Sequence, residues 1–333
     1  MSAPLVTVLT AVRNGARFLE ATIESVRKQT FTDWEYIIVD DASTDETTSI
    51  VEKFRRGDSR IQLLKRTTSV GPYGSANDGL KIARGKYIVR TDGDDLSAAH
   101  RIERQLAFLA EHPEYRSCVT HWQAIDEQGH KLNVVTPIPK NPRVFRWGLV
   151  LRSQSLHSAV CFEKSAMEEI GGYRELPLSQ DYRLWCEMTR RGWLGTIPEI
   201  LCYVRFHGSR QTNKHSEIQR ELALDVLSDH LLALTGERWS REDLLALRSV
   251  GYSELMPVDK GLEMLDRWDR LWQSATDLTP EDRIELKRMS AFRRWKHLRS
   301  NARRQPVPVL AGMLKLVTTK PQYLVPALRG SAL

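Results

Sequence analysis

Cysteine is scarce in this chain. The four present, Cys118, Cys161, Cys186 and Cys202, never stand in a C-x-x-C arrangement. That argues against a zinc ribbon and a disulfide scaffold, and fits a reducing compartment. Long apolar runs are missing too. No stretch approaches the roughly 18 apolar residues that a membrane-spanning helix needs. The best, residues 307–317, is broken by Pro308 and Lys315. Residues 5–12 are too few for a signal-peptide core, and Arg13 follows at once. These absences predict a cytoplasmic location, with peripheral attachment to the inner face of a membrane as a variant of it. Internal repeats and low-complexity segments are also lacking. What remains is an ordinary globular composition, 333 residues with 41% hydrophobic content, enough for one large domain with an appendage or for two domains.

The net charge is +7, and its location matters more than its size. Residues 283–304 hold nine Lys or Arg and one acid, Glu285, so the remainder of the chain sums to −1. The basic character belongs to the C-terminal region. With Phe292, Trp295 and Leu298 interleaved, it suits either an anionic lipid surface or a helical face packed on the protein. Nucleic acid is not expected, because no binding module accompanies the charge.

Along the first 95 residues, short β-branched runs alternate with segments of helical periodicity. Strands are predicted near 5–9, 36–39, 61–64 and 86–91, with helices between them. This order predicts an α/β fold with a parallel, doubly wound sheet flanked by helices. A helix is expected at 99–111, then strands near 117–121, 157–162, 194–197 and 200–206. Helices are predicted near 164–170 and 181–191, and from 216 the chain reads as helical. Thr279-Pro280-Glu281-Asp282 is a helix start: an N-cap hydroxyl, Pro at the first helical position, then acids. The expected division is 1–215, with a nucleotide half (1–95) and an acceptor half (96–215), followed by a helical region, 216–333.

Two acidic loops follow predicted strands. Thr91-Asp92-Gly93-Asp94-Asp95 packs three carboxylates into four residues. It is either a solvated turn or a site where a hard cation, Mn²⁺ or Mg²⁺, is shared with substrate phosphates. The carboxyl edge of an open sheet is where such ligands bind. Asp40-Asp41-Ala42-Ser43-Thr44-Asp45 caps the next helix through Ser43 and Asp45. Asp41 is not needed for capping and could accept a hydrogen bond from a nucleobase or ribose. Together the two loops suit a nucleoside diphosphate.

Val6-Thr7-Val8-Leu9-Thr10-Ala11-Val12-Arg13-Asn14, Ser25-Val26-Arg27-Lys28-Gln29-Thr30, Ile38-Val39-Asp40-Asp41-Ala42-Ser43-Thr44-Asp45, the stretch from Gly71 through Asn77 to Ile88, and Asp92-Gly93-Asp94-Asp95 stand in series. In this order they resemble family 2 glycosyltransferases over residues 4–210. The resemblance implies an A-type glycosyltransferase fold with a mostly parallel, Rossmann-like sheet and a helical C-terminal extension. It implies an inverting, metal-dependent transfer of one sugar from a nucleotide-sugar donor, UDP-linked, to a glycan or lipid-linked acceptor in polysaccharide, lipopolysaccharide or other glycoconjugate synthesis. By the resemblance, Thr10 and Asp41 hold the uracil, Asp92 lies near the ribose, and Asp94 ligates the metal. Val12, Asn14, Asn77 and Gly93 fall at donor-side positions. The chain departs at Val12, where the family often has an aromatic residue that stacks on the base.

Gly171-Gly172-Tyr173 and Ser179-Gln180-Asp181-Tyr182-Arg183-Leu184-Trp185 resemble the acceptor-side motif, with Asp181 as the general base. Gln180 replaces the usual Glu. His207, after the last predicted strand, resembles a position that completes the metal shell or contacts phosphate. Arg205 and Arg210 face either the diphosphate or solvent. The Gln-x-x-Arg-Trp signature of processive synthases is missing: Arg294-Trp295 has Ala291 where Gln belongs, and Arg146-Trp147 has Arg143. Two other readings need different features. A nucleotidyltransferase would need a Gly-rich basic loop after the first strand, of which Arg13-Asn14-Gly15-Ala16-Arg17 is a poor version. A non-catalytic nucleotide-sugar-binding protein has only Gln180 and Val12 in its favour.

Overall fold

The structure is a computed structural model that describes residues 3–136, 138–174, 179–208 and 216–323. The chain divides into two compact units, residues 1–136 with 155–219, and residues 137–154 with 220–333. The second crossing back lies near the expected boundary at 215. Segment 137–154 belongs with the helical unit, although its sequence neighbours on both sides do not.

The first unit begins as the alternation predicts: β1 (Val6–Val12), α1 (Ala16–Arg27), β2 (Trp34–Asp40), α2 (Thr47–Gly57), β3 (Ile61–Lys65), α3 (Gly71–Ile82) and β4 (Tyr87–Arg90). It continues with β5 (Leu96–Ser97), α4 (Arg101–Glu111), β6 (Ser117–Ile125) and β7 (Lys131–Thr136). After the segment that joins the other unit come β8 (Val160–Glu163), α6 (Lys164–Glu169), α7 (Gln180–Arg190) and β9 (Leu194–Arg205). The strands form one sheet in the order β3-β2-β1-β4-β8-β6-β9-β5, with β7 on β6.

The sheet is mixed rather than mostly parallel. Its β3-β2-β1-β4 half is parallel. Beyond β4, only β6 with β9 is parallel; β8 runs against both β4 and β6, and β5 runs against β9. The two strands predicted near 194–206 are one strand. Thr120 pairs with Ile197 and His121 with Ile200, so Pro198 and Glu199 are extruded from the register. Proline cannot donate to a ladder, and a bulge accommodates it.

β2 is buried along its whole length, and β1 nearly so. The alternate residues Val6, Val8 and Val12 pack with Leu19, Ile23 and Val26 of α1 and Val51 and Phe54 of α2. The opposite face of β1 and β2 carries α3. Burial of each such side chain contributes about 1.5–3 kcal/mol, so the parallel half is a rigid platform, and its three inner strands β2, β1 and β4 deliver their loops to one edge.

The second unit is helical: α5 (Pro142–Gly148), most of α8 (Ser216–Thr235), α9 (Arg241–Tyr252), α10 (Val258–Ser274), α11 (Pro280–Asn301) and α12 (Pro306–Thr319). α5 supplies buried Val144, Phe145 and Trp147 and packs on α11. The Trp268 indole N–H donates to the Trp147 carbonyl at 3.2 Å. α11 begins as its sequence predicts, with reciprocal bonds between Thr279 and Asp282. Its basic residues are not all on the surface: Arg293 and Arg294 are buried, and Arg294 pairs with Asp266 and Asp269. No described helix is long and apolar enough to cross a membrane.

Candidate active site

The two acidic loops leave β2 and β4 at the same edge and have different surroundings. In the β2 loop every carboxylate is engaged by the protein. Asp40 accepts from the Ser43 N–H at 2.9 Å and the Thr48 hydroxyl at 2.5 Å. Asp41, 3% exposed, accepts four bonds: from the Ser69 and Ser75 hydroxyls at 2.6 and 2.8 Å and from the Val70 and Gly71 N–H groups at 2.9 and 3.0 Å. Burial alone would raise its carboxyl, but these four donors outweigh burial and hold it below the ordinary carboxylate value. Asp41 thereby fixes the start of α3. Asn14, at φ 54°, ties the loop to the end of β1. Its N–H donates to Ser43 Oγ at 2.9 Å, and its Oδ1 accepts from the Thr44 N–H at 2.8 Å.

In the β4 loop two carboxylates remain accessible. Asp92 has a side chain 42% exposed, with the Arg90 guanidinium 3.3 Å from Oδ1, and its N–H donates to Ser158 Oγ at 2.9 Å. Asp94 Oδ2 lies 2.8 Å from His207 Nε2, so two residues 113 apart in sequence meet. The Phe18 ring lies against the His207 ring in a tilted contact, 4.8 Å between centroids. Asp95 is buried and accepts from the Arg205 N–H at 2.9 Å. Burial, then the neighbouring carboxylates of Asp94 and Asp92, push its carboxyl well up. Gly93 is required here: a Cβ would stand 2.8 Å from Val12 Cγ2.

The acceptor-side motif reaches the same edge. Asn77 clamps the Tyr173 backbone, donating from Nδ2 to its carbonyl at 2.6 Å and accepting from its N–H at 2.9 Å. Gly172, at φ 72°, allows the close pass, since a Cβ would meet Asn77 Oδ1 at 2.8 Å. Asp181 occupies the first turn of α7, and its Oδ1 accepts from the Tyr182 N–H at 2.8 Å. Gln180 is buried, and its amide donates to the Arg174 carbonyl.

Tyr73 connects the two sides. Burial raises its phenol well above the ordinary value, and Asp181 and Asp92 both lie close enough to raise it further. Tyr73 also contacts the rings of Tyr173 and His157, at 5.6 and 6.0 Å. His157 Nδ1 faces the Arg90 guanidinium at 3.4 Å, and its Nε2 meets the Tyr173 hydroxyl. Burial, then the Arg90 charge, lowers its pKa well below the usual value, so the imidazole is neutral. With Arg90 donating to Nδ1, the ring proton sits on Nε2 and is donated to Tyr173 Oη.

Asp92, Asp94, His207 and Asp181 are therefore gathered around one edge. The remaining candidates stand differently from expectation. The Thr10 hydroxyl does not point to a ligand: it is fully buried, donates to the Thr91 carbonyl at 2.6 Å and meets the Tyr36 hydroxyl at 2.9 Å. The cause is strand alternation, which turns Thr10 inward with Val8 and Val12. Val12 is a core residue under Gly93. The side chains of Asp41, Asn14 and Asn77 are occupied by protein donors and acceptors. Arg205 faces neither diphosphate nor solvent; its guanidinium donates to the carbonyls of Asp94, Asp126 and Glu127. Arg210 lies outside the described residues. Arg90 and Tyr73 were not expected, and Tyr173 was expected only as a member of the acceptor-side motif. The one available signal was Arg90, a charge directly after the apolar run Tyr87-Ile88-Val89 and within the predicted strand.

Among the described residues no cluster of three or more metal-binding side chains exists. Asp94 and His207 nevertheless fit a hard divalent cation, which keeps water and takes its other oxygens from phosphates.

A mixed α/β sheet with an Asp-Gly-Asp motif at this edge is an A-type glycosyltransferase fold. The chain belongs to glycosyltransferase family 2: the profile described as "Glycosyl transferase family 2" matches residues 7–169. It is 30% identical over 221 residues to the Escherichia coli UDP-Glc:alpha-D-GlcNAc-diphosphoundecaprenol beta-1,3-glucosyltransferase WfaP, covering 65% of this chain and 84% of that protein. Among solved structures, residues 1–349 of S. aureus TarS in complex with UDP-GlcNAc match with a TM-score of 0.59 at 16% identity, covering 92% of each chain. The mannosyltransferase PcManGT from Pyrobaculum calidifontis, in complex with GDP-Man and Mn²⁺, matches with a TM-score of 0.51 at 17% identity over 98% of this chain and 86% of that one. At such identities the two structures speak for the fold alone.

Proposed function

We propose that this glycosyltransferase is inverting and metal-dependent, and adds one sugar from a nucleotide-diphosphate-sugar, UDP-linked, to a hydroxyl acceptor in cell-envelope polysaccharide or glycoconjugate assembly. The observation that carries the reading is the Asp94–His207 pair at 2.8 Å, in the loop where Asp92 also stays accessible beside Arg90. UDP in the name of WfaP favours a uridine donor, and the diphosphoundecaprenol in the same name favours a lipid-linked acceptor.

Asp181 takes the proton of the acceptor hydroxyl as that oxygen attacks the anomeric carbon from the face opposite the diphosphate. The new C–O bond forms while the bond to the diphosphate breaks, and the nucleoside diphosphate leaves with the electron pair. Asp94 and His207 would hold Mn²⁺ or Mg²⁺, which neutralises charge on the departing diphosphate when bound. Asp92 faces the ribose side. Arg90, His157 and Tyr173 position the edge through the protein and do not themselves exchange protons with substrate.

Asp181→Asn tests the assignment. It should abolish transfer yet keep the thermal shift produced by nucleotide sugar with Mn²⁺, since binding to the native state raises the melting temperature by mass action. Turnover near that of the unaltered enzyme would overturn the role of Asp181. Slow donor hydrolysis with Mn²⁺ distinguishes an enzyme from a nucleotide-sugar-binding protein.

A further inference from the structure

Helix α12 has two apolar faces, and among the described residues one of them is left largely exposed. Val309 and Leu316 are buried, and with Met313 they pack on Val258, Ala291 and Leu298. On the adjacent, outward side Val307, Leu310, Leu314 and Val317 are 77%, 73%, 66% and 54% exposed. Their spacing of three, four and three residues sets them in one stripe along the helix. Single exposed aliphatic residues are ordinary, but four aligned on one helix mark an interaction surface.

The charges around the stripe select its partner. From residue 286 to the end the sequence has eleven Lys or Arg and no Asp or Glu. Arg299, Arg303, Arg304 and Lys315 of this stretch are exposed. A second copy of the chain would bring the same cations, and like charges repel across an interface. A nucleic acid would satisfy the cations and leave the aliphatic stripe in water. A bilayer of anionic phospholipid satisfies both, with acyl chains for the stripe and phosphates for the cations.

We propose that α12 lies on an anionic membrane surface, its Val307–Leu310–Leu314–Val317 stripe at the acyl boundary and Arg299, Arg303, Arg304 and Lys315 among the headgroups. At 14 residues, α12 is about 21 Å long, short of the roughly 30 Å needed to span. The surface is thus not the basic segment 283–304 by itself, whose Arg293 and Arg294 are buried. The inference is independent of the transfer chemistry proposed above.

The test is co-sedimentation of the full chain with vesicles of phosphatidylglycerol and phosphatidylethanolamine, and with vesicles of phosphatidylcholine alone. Binding to the anionic vesicles is expected, weakening as salt is raised. Leu310→Gln with Leu314→Gln should weaken it by about tenfold or more. Arg303→Gln with Arg304→Gln should weaken it too and reduce its salt dependence. All four positions are exposed, so melting temperatures should stay near that of the unaltered chain. The proposal is overturned if the unaltered chain binds neither vesicle, or if the leucine variant sediments as the unaltered chain does. It is also overturned if sedimentation velocity finds a dimer that the leucine variant converts to monomer, since the stripe would then be an interface between copies.

Discussion

The loops after β2 and after β4 both place consecutive aspartates at the same sheet edge, yet they do opposite things. After β2, the protein itself meets both carboxylates; Asp41 alone takes four donors. After β4, Asp92 and Asp94 keep side-chain exposures of 42% and 30%. A carboxylate whose lone pairs are filled by backbone and hydroxyl donors is a structural brace. One that meets a single histidine at the surface still has room for a cation and a phosphate. Residue type and strand-end position are shared, so the partners decide the role.

The sharpest way to break this contrast is Asp94→Asn. It should lower transfer by about a hundredfold or more, since even outer-shell partners of metal ligands cost up to about 100-fold. The melting temperature without metal should barely change. Steady-state transfer across a Mn²⁺ titration reads the first, and thermal melts the second.

Asp41→Asn should behave in reverse. An amide offers one acceptor oxygen and turns an NH₂ toward groups that donate, so about 2–3 kcal/mol of stability should be lost near neutral pH. The loss depends on pH. The folded Asp41 carboxyl is lowered, so its contribution is complete above the unfolded value of about 3.9 and disappears as pH falls through the lower folded value. Denaturant melts at neutral pH and at about pH 3 should therefore show the two proteins converging in acid. A variant as stable as the parent but with transfer as low as Asp94→Asn would make Asp41 a ligand-binding carboxylate instead of a brace.

Asn14→Gly sharpens the picture at the smallest scale. Glycine keeps the positive φ of 54° but loses the bond to the Thr44 N–H. A cost of about 0.5–1.5 kcal/mol is expected in melts, with transfer changed less than twofold.

Much of the parallel half could be read in the sequence, because β-branched runs ending in Asp or Gly mark both the strands and the edge they share. The Asp94–His207 meeting rested on resemblance, since nothing local in the 112 residues between them sets their distance. Side-chain direction was less accessible. Thr10 looks available in the sequence and is sealed by strand alternation. Arg90 and Arg101 are buried charges held by carbonyls, hydroxyls, the Asp92 carboxylate and a neutral histidine, groups that no local pattern reveals. Two-residue β5 is too short to carry a periodic signal, and Pro198 disguises β9 as two strands.

The allegiance of residues 137–154 bears on how the protein is made. α5 leaves the ribosome while α10 and α11 are still unsynthesised, and the pocket for its Phe145 and Trp147 does not yet exist. These rings must wait, uncovered, until more than a hundred further residues have been added. Such exposed apolar surface is what chaperones hold. A gene cut at the end of the first unit would never supply the missing helices, and its product should be prone to aggregation at this one insert.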